Sequence, residues 1–481
     1  MQTVSCPSCG APLTFKSHAA VMAVCEFCRA TVLKDADSVK DIGKMSAVLE
    51  DYSPIQIGTS GVAGTREFSV IGRIQLRYEQ GMWNEWYLLF SDGATGWLGD
   101  SSGMLVLTAP RSTTGALPDF EAIEVGKHYT IEGENLTASE KRRARCIGGQ
   151  GELPFKAGAG YEAAVADFRA AARFVTLDYS DDAVVLYDGV AVTLESLKCQ
   201  LLRDDEQIKA SAGKYRGKLD ALDCPSCGSM IKYVPGVTST LVCPSCATQL
   251  DAAGPEAQVL AAGQRVEARR TTLALGASAN IQGNERTIIG LMVREDDEGT
   301  EWTEYLLHGP RAGFSWLVET ADGWFRSTVL PEWPAWSWTG AGEARLDNVT
   351  YNKTVEYPAT VKFAAGAFNW RVAVGDQVRV FEFEAGPTTL AAELTAAEMT
   401  WSRSLPVAND QIRTWFGTSA PRLADKKPAK QERNALPVKF MWWIVGLNFI
   451  PLMANFFQTA LIIVVALVAL FFPPNVFSND D

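Results

Sequence analysis

The chain has 481 residues, 47 % of them hydrophobic, enough for three or four structural units with buried cores. A formal net charge of −12 gives a surface that repels phosphate backbones, which argues against nucleic acid as the main partner. Met1–Val4 shows neither a charged leader nor an apolar stretch, so no signal peptide is expected. The ten cysteines therefore read as cytosolic thiols or metal ligands, not as a disulfide framework.

Residues 1–34 form the first unit. Cys6 and Cys9 are followed, fifteen residues later, by Cys25 and Cys28, and the same spacing returns at Cys224, Cys227, Cys243 and Cys246. Two sulfurs from one CxxC turn reach a single ion, and the hairpin between the pairs brings the second two to the same point. Four thiolates at this spacing are the pattern of closed, tetrahedral structural zinc. A dithiol redox centre would use one CxxC and leave the second pair unexplained. A closed shell offers no open coordination position, so metal catalysis is not expected; the metal holds together a unit too small for its own core. Gly10 and Gly228 suit the tight turn after each first pair. Leu13, Phe15 and Val21–Val24, and then Ile231, Tyr233, Leu241 and Val242, supply short strands between the pairs.

Residues 35–55 read as a connector. From about residue 56 the pattern becomes strand-like: Ile74, Leu76 and Tyr78 alternate with Gln75 and Arg77, and the run Trp83–Phe90 ends at the turn signal Ser91-Asp92-Gly93. Asp188-Gly189, between Val184–Tyr187 and Val190–Val192, predicts a two-residue hairpin turn.

The second half repeats the first. Gly72 matches Gly290, Trp83-x-Glu85-Trp86 matches Trp302-x-Glu304-Tyr305, and Trp97-Leu98 matches Trp316-Leu317. Further on, Gly151–Phe155 matches Gly366–Trp370, and Asp167-Phe168 matches Glu382-Phe383. The offset stays close to the cysteine offset throughout, which indicates a tandem duplication of ribbon plus β-domain. Glu162–Arg173 is alanine-rich and helix-like by propensity, but its repeat partner Val378–Phe383 reads as strand, so strand is expected.

Residues 418–439 carry Pro421, Pro428 and Pro437 and six Lys or Arg, and read as a basic, flexible linker. Residues 440–472 carry no charge. Residues 454–472 suit one membrane helix, with Trp442-Trp443 at the interface; a helical hairpin turning near Asn455 is the alternative. The basic residues before the span and the short acidic tail 473–481 place the preceding domains on the cytoplasmic face, an inner-membrane, C-terminally anchored arrangement. The linker also suits contact with anionic headgroups.

Signals for chemistry are sparse. His18, His128 and His308 do not recur between the halves and suit surface or capping roles. Glu85 beside Trp83, and Glu304 beside Trp302, would suit general acid–base work in an aromatic pocket; a strand glutamate facing solvent or pairing across the sheet is the favoured reading. Trp97 and Trp316 are expected in the core. Trp324 and Trp333 are additions of the second half, as are Trp336 and Trp338, which fall on one face of an extended segment. That pair would bind a ligand, a peptide or a membrane interface if exposed; core packing is favoured. Lys141–Arg145, without a counterpart in the second half, reads as a solvated loop or a phosphate contact. Cys146 and Cys199 read as buried thiols.

The series Gly72 … Trp83-x-Glu85-Trp86 … Trp97-Leu98, with its second form Gly290 … Trp302-x-Glu304-Tyr305 … Trp316-Leu317, resembles a bacterial family catalogued as domain of unknown function 4178, over about residues 56–205 and 261–415. Members often carry a zinc ribbon ahead of the domain, as here. The resemblance implies no activity and no catalytic residues. It implies a setting beside membrane-stress and membrane-remodelling proteins. Tyr305 in place of Trp86, and the additional tryptophans, set the second copy apart.

Together these features predict a mainly β protein. Zinc ribbons at 1–34 and 220–252 alternate with barrel- or sandwich-like β-domains at 56–205 and 261–415, followed by a C-terminal transmembrane helix. The favoured function is a membrane-tethered cytosolic adaptor or scaffold with two structural zinc ions and protein partners at the inner membrane face. The alternative is an enzyme or small-molecule sensor with a pocket near Glu85 and Glu304. Nucleic-acid binding through the ribbons is disfavoured by the acidity.

Overall fold

Two closed barrels, each stitched to a cysteine ribbon by main-chain pairing, form the body of the fold. The computed structural model describes residues 2–17, 20–28, 30–35, 38–44, 53–79, 81–101, 104–155, 160–204, 206–208, 221–232, 240–251, 258–261, 271–309, 312–336 and 342–417. His18, Tyr233, Trp338, the basic linker 418–439, the apolar segment 440–472 and the tail 473–481 lie outside the described residues. Among the described residues no helix is long and apolar enough to cross a membrane.

The first ribbon holds β1 (Gln2–Ser5), β2 (Pro12–Phe15), β3 (Met22–Val24), β4 (Ala30–Asp35) and β5 (Ser38–Lys44). Part of the expected connector 35–55 is therefore strand. The first β-domain follows as β6 (Ser60–Ala63), β7 (Arg66–Arg77), β8 (Met82–Phe90), β9 (Thr95–Ser101) and β10 (Met104–Arg111). It continues with β11 (His128–Ile131), β12 (Glu134–Leu153), β13 (Glu162–Ala170), β14 (Arg173–Asp178) and β15 (Val185–Val192). The second ribbon holds β16 (Ala221–Asp223), β17 (Met230–Lys232), β18 (Thr240–Val242), β19 (Gln249–Asp251) and β20 (Gln258–Ala261). The second domain runs β21 (Ser278–Ile281), β22 (Asn284–Glu295), β23 (Glu301–Gly309), β24 (Gly313–Thr320), β25 (Gly323–Val329) and β26 (Ala335–Trp336). It ends with β27 (Glu343–Leu346), β28 (Val349–Phe368), β29 (Gln377–Ala385), β30 (Thr388–Leu394), β31 (Met399–Val407) and the short helix α1 (Asn409–Phe416).

In the first domain the antiparallel order is β12-β13-β14-β15-β10-β9-β8-β7, and β7 pairs back onto β12. The second domain closes identically as β28-β29-β30-β31-β25-β24-β23-β22 and back to β28. Thr360 of β28 pairs Gln377 of β29 and Glu295 of β22, so the neighbours lie on opposite edges and the eight strands form a ring. Closure leaves side chains alternating between the inside and the outside of a barrel. On β8, Trp83 and Glu85 point inward. Trp86 and Leu88 point outward, into a core with Phe68, Val70, Leu98 and Leu197.

The closing seam depends on glycine. Gly72 pairs with Gly151, and Gly290 with Gly366. A Cβ on Gly72 would lie 1.8 Å from the Glu152 carbonyl oxygen, and one on Gly290 2.5 Å from that of Ala367. Gly151 and Gly366 adopt φ of 71° and 92°, a region only glycine enters freely. The ribbons join at this point: β3 pairs β12 at Gly151–Leu153, and β18 pairs β28 at Gly366–Phe368. In the first copy the Glu152 carboxylate also accepts the backbone N–H groups of Lys16 and Ser17, at 2.7 and 2.9 Å.

Glu162–Ala170 is strand, as its repeat partner β29 is. Burial of Ala164, Ala166 and Phe168 against Leu136, Val175 and Leu177 outweighs helix propensity. The Asp188-Gly189 hairpin is not formed; both residues lie within the continuous strand β15. Gly189 is needed there because a Cβ would meet the Leu107 carbonyl oxygen at 2.1 Å. Asp188 pairs with Arg173 at 3.0 Å and Arg111 at 2.8 Å across neighbouring strands. Lys141–Arg145 is likewise no loop; it lies in β12.

The described residues up to Gly417 fold as one unit, in which the two barrels touch. Lys141 N–H donates to Ala397 O at 3.0 Å, and Trp333 N–H to Ala171 O at 2.9 Å. Glu79 pairs with Arg371 at 3.1 Å.

Candidate functional site: cysteine clusters and barrel interiors

Each cysteine group brings four sulfurs within 4.8 Å of one another. In the first, Cys6–Cys28 and Cys9–Cys25 lie 3.7 Å apart; in the second, Cys224–Cys246 and Cys227–Cys243 do the same. A tetrahedron with metal–sulfur arms of about 2.3 Å has edges of about 3.8 Å, so the spacing fits a metal and is far too long for a disulfide. The knuckles are shaped by short backbone bonds. Gly10 N–H donates to Cys6 O and Gly228 N–H to Cys224 O, both at 2.8 Å, with φ of 76° and 73° at the glycines. The second knuckle of the second copy makes the same turn with Ala247, at φ 54°.

The inner faces of both barrels line a cavity of about 1630 Å³. Within the first barrel, the Trp83 indole N–H donates to Glu85 Oε1 at 2.9 Å; within the second, Trp302 donates to Glu304 Oε1 at 2.7 Å. The repeated Trp-x-Glu is thus one local device: residues two apart on a strand share a face, and the indole orients the carboxylate inward. Burial holds the Glu85 carboxyl up at about 7, against the bond from Trp83; the nearby Asp178 charge adds to the rise. Glu304 is raised for the same first reason, with Arg294 opposing.

The surroundings of the two carboxylates differ. In the first barrel Arg142 lies 4.1 Å above the Trp83 ring and pairs with Glu140 at 2.6 Å and Asp167 at 3.0 Å. Burial pushes the Glu140 carboxyl to about 8 despite this guanidinium. A wall of aromatic rings runs Tyr87, Trp97, Phe155, Tyr161, with successive centroids 4.8, 6.0 and 5.3 Å apart. In the second barrel Tyr357 occupies the register position of Arg142 and donates its hydroxyl to Glu382 at 2.7 Å. There the guanidinium comes from another strand: Arg294 reaches Glu304 at 3.4 Å and Glu393 at 2.7 Å.

Other candidate residues fall elsewhere. Trp97 is buried among the first barrel's aromatic residues, and Trp316 packs on Trp370 at 5.4 Å. Trp324 and Trp333 are buried. Trp336 is half-buried against Trp401 at 5.4 Å, with His128 of the first domain at 6.2 Å. His128 is exposed and bonds Thr137. His308, expected in a surface or capping role, is buried beside Phe314, and burial drives its imidazole down to about 4, with Arg286 adding to the effect. Cys146 is buried and Cys199 half-buried. Arg142, Asp178, Arg294 and Glu393 were not legible as site residues, because only the strand register brings them to the Trp-x-Glu pairs.

Ribbon, closed eight-strand barrel and inward Trp-x-Glu pair, all present twice, define a duplicated cysteine-ribbon and β-barrel protein. Residues 56–193 and 274–409 match the family described as Domain of unknown function (DUF4178), and the chain belongs to that family. No curated protein and no solved structure matches the chain.

Proposed function

We propose that this chain is a membrane-tethered binding protein whose ligand sits in the barrel interiors. The observation that carries this reading is the cavity of about 1630 Å³ into which both Trp-x-Glu pairs point. Aromatic walls are usual in a small-molecule site, and the many charged side chains that also line this cavity favour a polar or charged guest. The cysteine clusters act as structural zinc sites that hold the ribbons against the barrel seams. Closed four-sulfur shells supply no reactive position, so the reading is a binder or sensor and not a metalloenzyme. A screen of neutral, anionic and cationic small molecules by thermal shift tests it. At least one class should raise the unfolding temperature of the full chain, and Glu85→Gln or Glu304→Gln should remove the effect. A screen with no stabilising compound contradicts the reading.

An adaptor role at the cytoplasmic face of the inner membrane is the second reading. It is supported by the basic linker 418–439, the uncharged run 440–472 and the duplication, since linking two binding units raises their combined affinity. Cross-linking from membranes would then recover a defined protein partner; recovery of none contradicts it.

A further inference from the structure

The two barrels carry the same pair of inward acids but answer them differently. Glu85 and Glu304 are equivalent positions, and Asp178 and Glu393 are as well. Asp178 pairs Val165 of β13 as Glu393 pairs the equivalent Val380 of β29. In the second barrel a guanidinium lies between the two acids: Arg294 Nη1 is 3.4 Å from Glu304 Oε1 and 2.7 Å from Glu393 Oε1, while Nη2 is 3.3 Å from Glu393 Oε2. Arg294 stands opposite Trp302 on β22. The residue opposite Trp83 on β7 is Leu76. The first barrel has thus kept the acid pair and lacks the built-in cation.

Among the described residues no other charge is seen to fill that place. Arg142 is held by Glu140 and Asp167 and covers the Trp83 ring. Glu85 takes one hydrogen bond, from the Trp83 indole, and Asp178 takes the Ser180 N–H and hydroxyl. Tyr161 and Tyr187 stand close enough to both acids to sense their charge, and with Trp83, Trp97 and Phe155 they line the same cavity. Carboxylates beside aromatic faces in a partly desolvated space favour an organic cation over a neutral or anionic guest.

We propose that the first barrel binds an organic cation, a guanidinium-type head on an apolar body, with the head between Glu85 and Asp178, as the second barrel binds its own Arg294. This rests on the reading that ligands enter the barrels, and it assigns the exogenous ligand to the first copy alone.

Calorimetric titration of the full-length chain with 2-phenylethylguanidine, against 2-phenylethanol and 3-phenylpropionate as body-matched controls, tests it. The expected result is one bound guanidinium per chain, with the alcohol and the carboxylate bound at least about tenfold more weakly. Glu85→Gln should weaken the cation by about tenfold or more. Leu76→Arg, which copies the second barrel's cation, should abolish binding while leaving the circular dichroism spectrum intact. Equal binding of either control, or cation binding unaffected by Glu85→Gln, overturns the proposal, and that variant decides the matter even if Leu76→Arg fails to fold. Should the broad thermal-shift screen yield a ligand while the guanidinium does not bind, this inference alone fails. Should neither yield one, the barrel-binding reading fails with it.

Discussion

Glu85 sits where its charge is disfavoured. Burial raises its carboxyl to about 7, and Asp178 adds to the rise, while the Trp83 indole and the more distant Arg142 act against it. A folded-state value above the ordinary 4.5 means that the folded state holds the proton more tightly than the unfolded chain. The resulting stability is complete below about pH 4.5 and is lost as pH rises towards 7. Glu85→Gln, which is neutral at every pH, should therefore match the wild type at pH 4 and exceed it by about 3 kcal/mol at pH 8, as read from urea midpoints. Equal midpoints at both pH values would mean that Glu85 is well solvated. The Trp-x-Glu motif was legible because indole and carboxylate are two residues apart on one strand. Arg142 was not, because a run of basic residues reads as solvent-facing until the register places Arg142 against Asp167 across two strands.

At the level of elements, the seam between β7 and β12 is the contact on which the barrel closes. A methyl group on Gly72 would have to displace the Glu152 backbone, so Gly72→Ala should destabilise the protein by about 3 kcal/mol, against about 1 kcal/mol for Gly133→Ala, where no atom lies within 4 Å and only the positive-φ turn conformation is strained. Comparable urea midpoints for the two variants would show that the seam can open without loss. The same point couples the ribbon to the barrel. Glu152 caps Lys16 and Ser17, while Ala367, its counterpart, has no carboxylate to offer. Glu152→Ala should therefore speed chelator-driven metal release from the first ribbon several-fold and leave the second unchanged. Ribbon spacing and strand content could be read from the chain because both are local patterns. Barrel closure could not, since Gly72 and Gly151 are far apart in sequence and signal only that the backbone must come close to something. Asp188-Gly189 misled for the same reason: the glycine serves a neighbouring strand and not a turn.

For the whole molecule, duplication produced two barrels with one architecture and different interiors. Exchange of Leu76 and Arg142 for Arg294 and Tyr357 moves the guanidinium from one strand to another and changes which acids it neutralises. The repeat was plain in the offsets, but this divergence lies in residues that only the folded register aligns. The proposed anchor predicts that removal of residues 440–481 shifts the protein from the membrane to the soluble fraction; continued pelleting would contradict it. Metal analysis should give about two zinc ions per chain, one for each closed shell. The barrel-binding claim is tested most directly by the indole N–H resonance of Trp83, assigned through Trp83→Phe and followed while a ligand is titrated. Because that N–H bonds Glu85 inside the first barrel, the resonance should shift saturably with binding. A ligand that binds and leaves the Trp83 and Trp302 indole signals both unmoved would place the site outside the barrels and contradict the account.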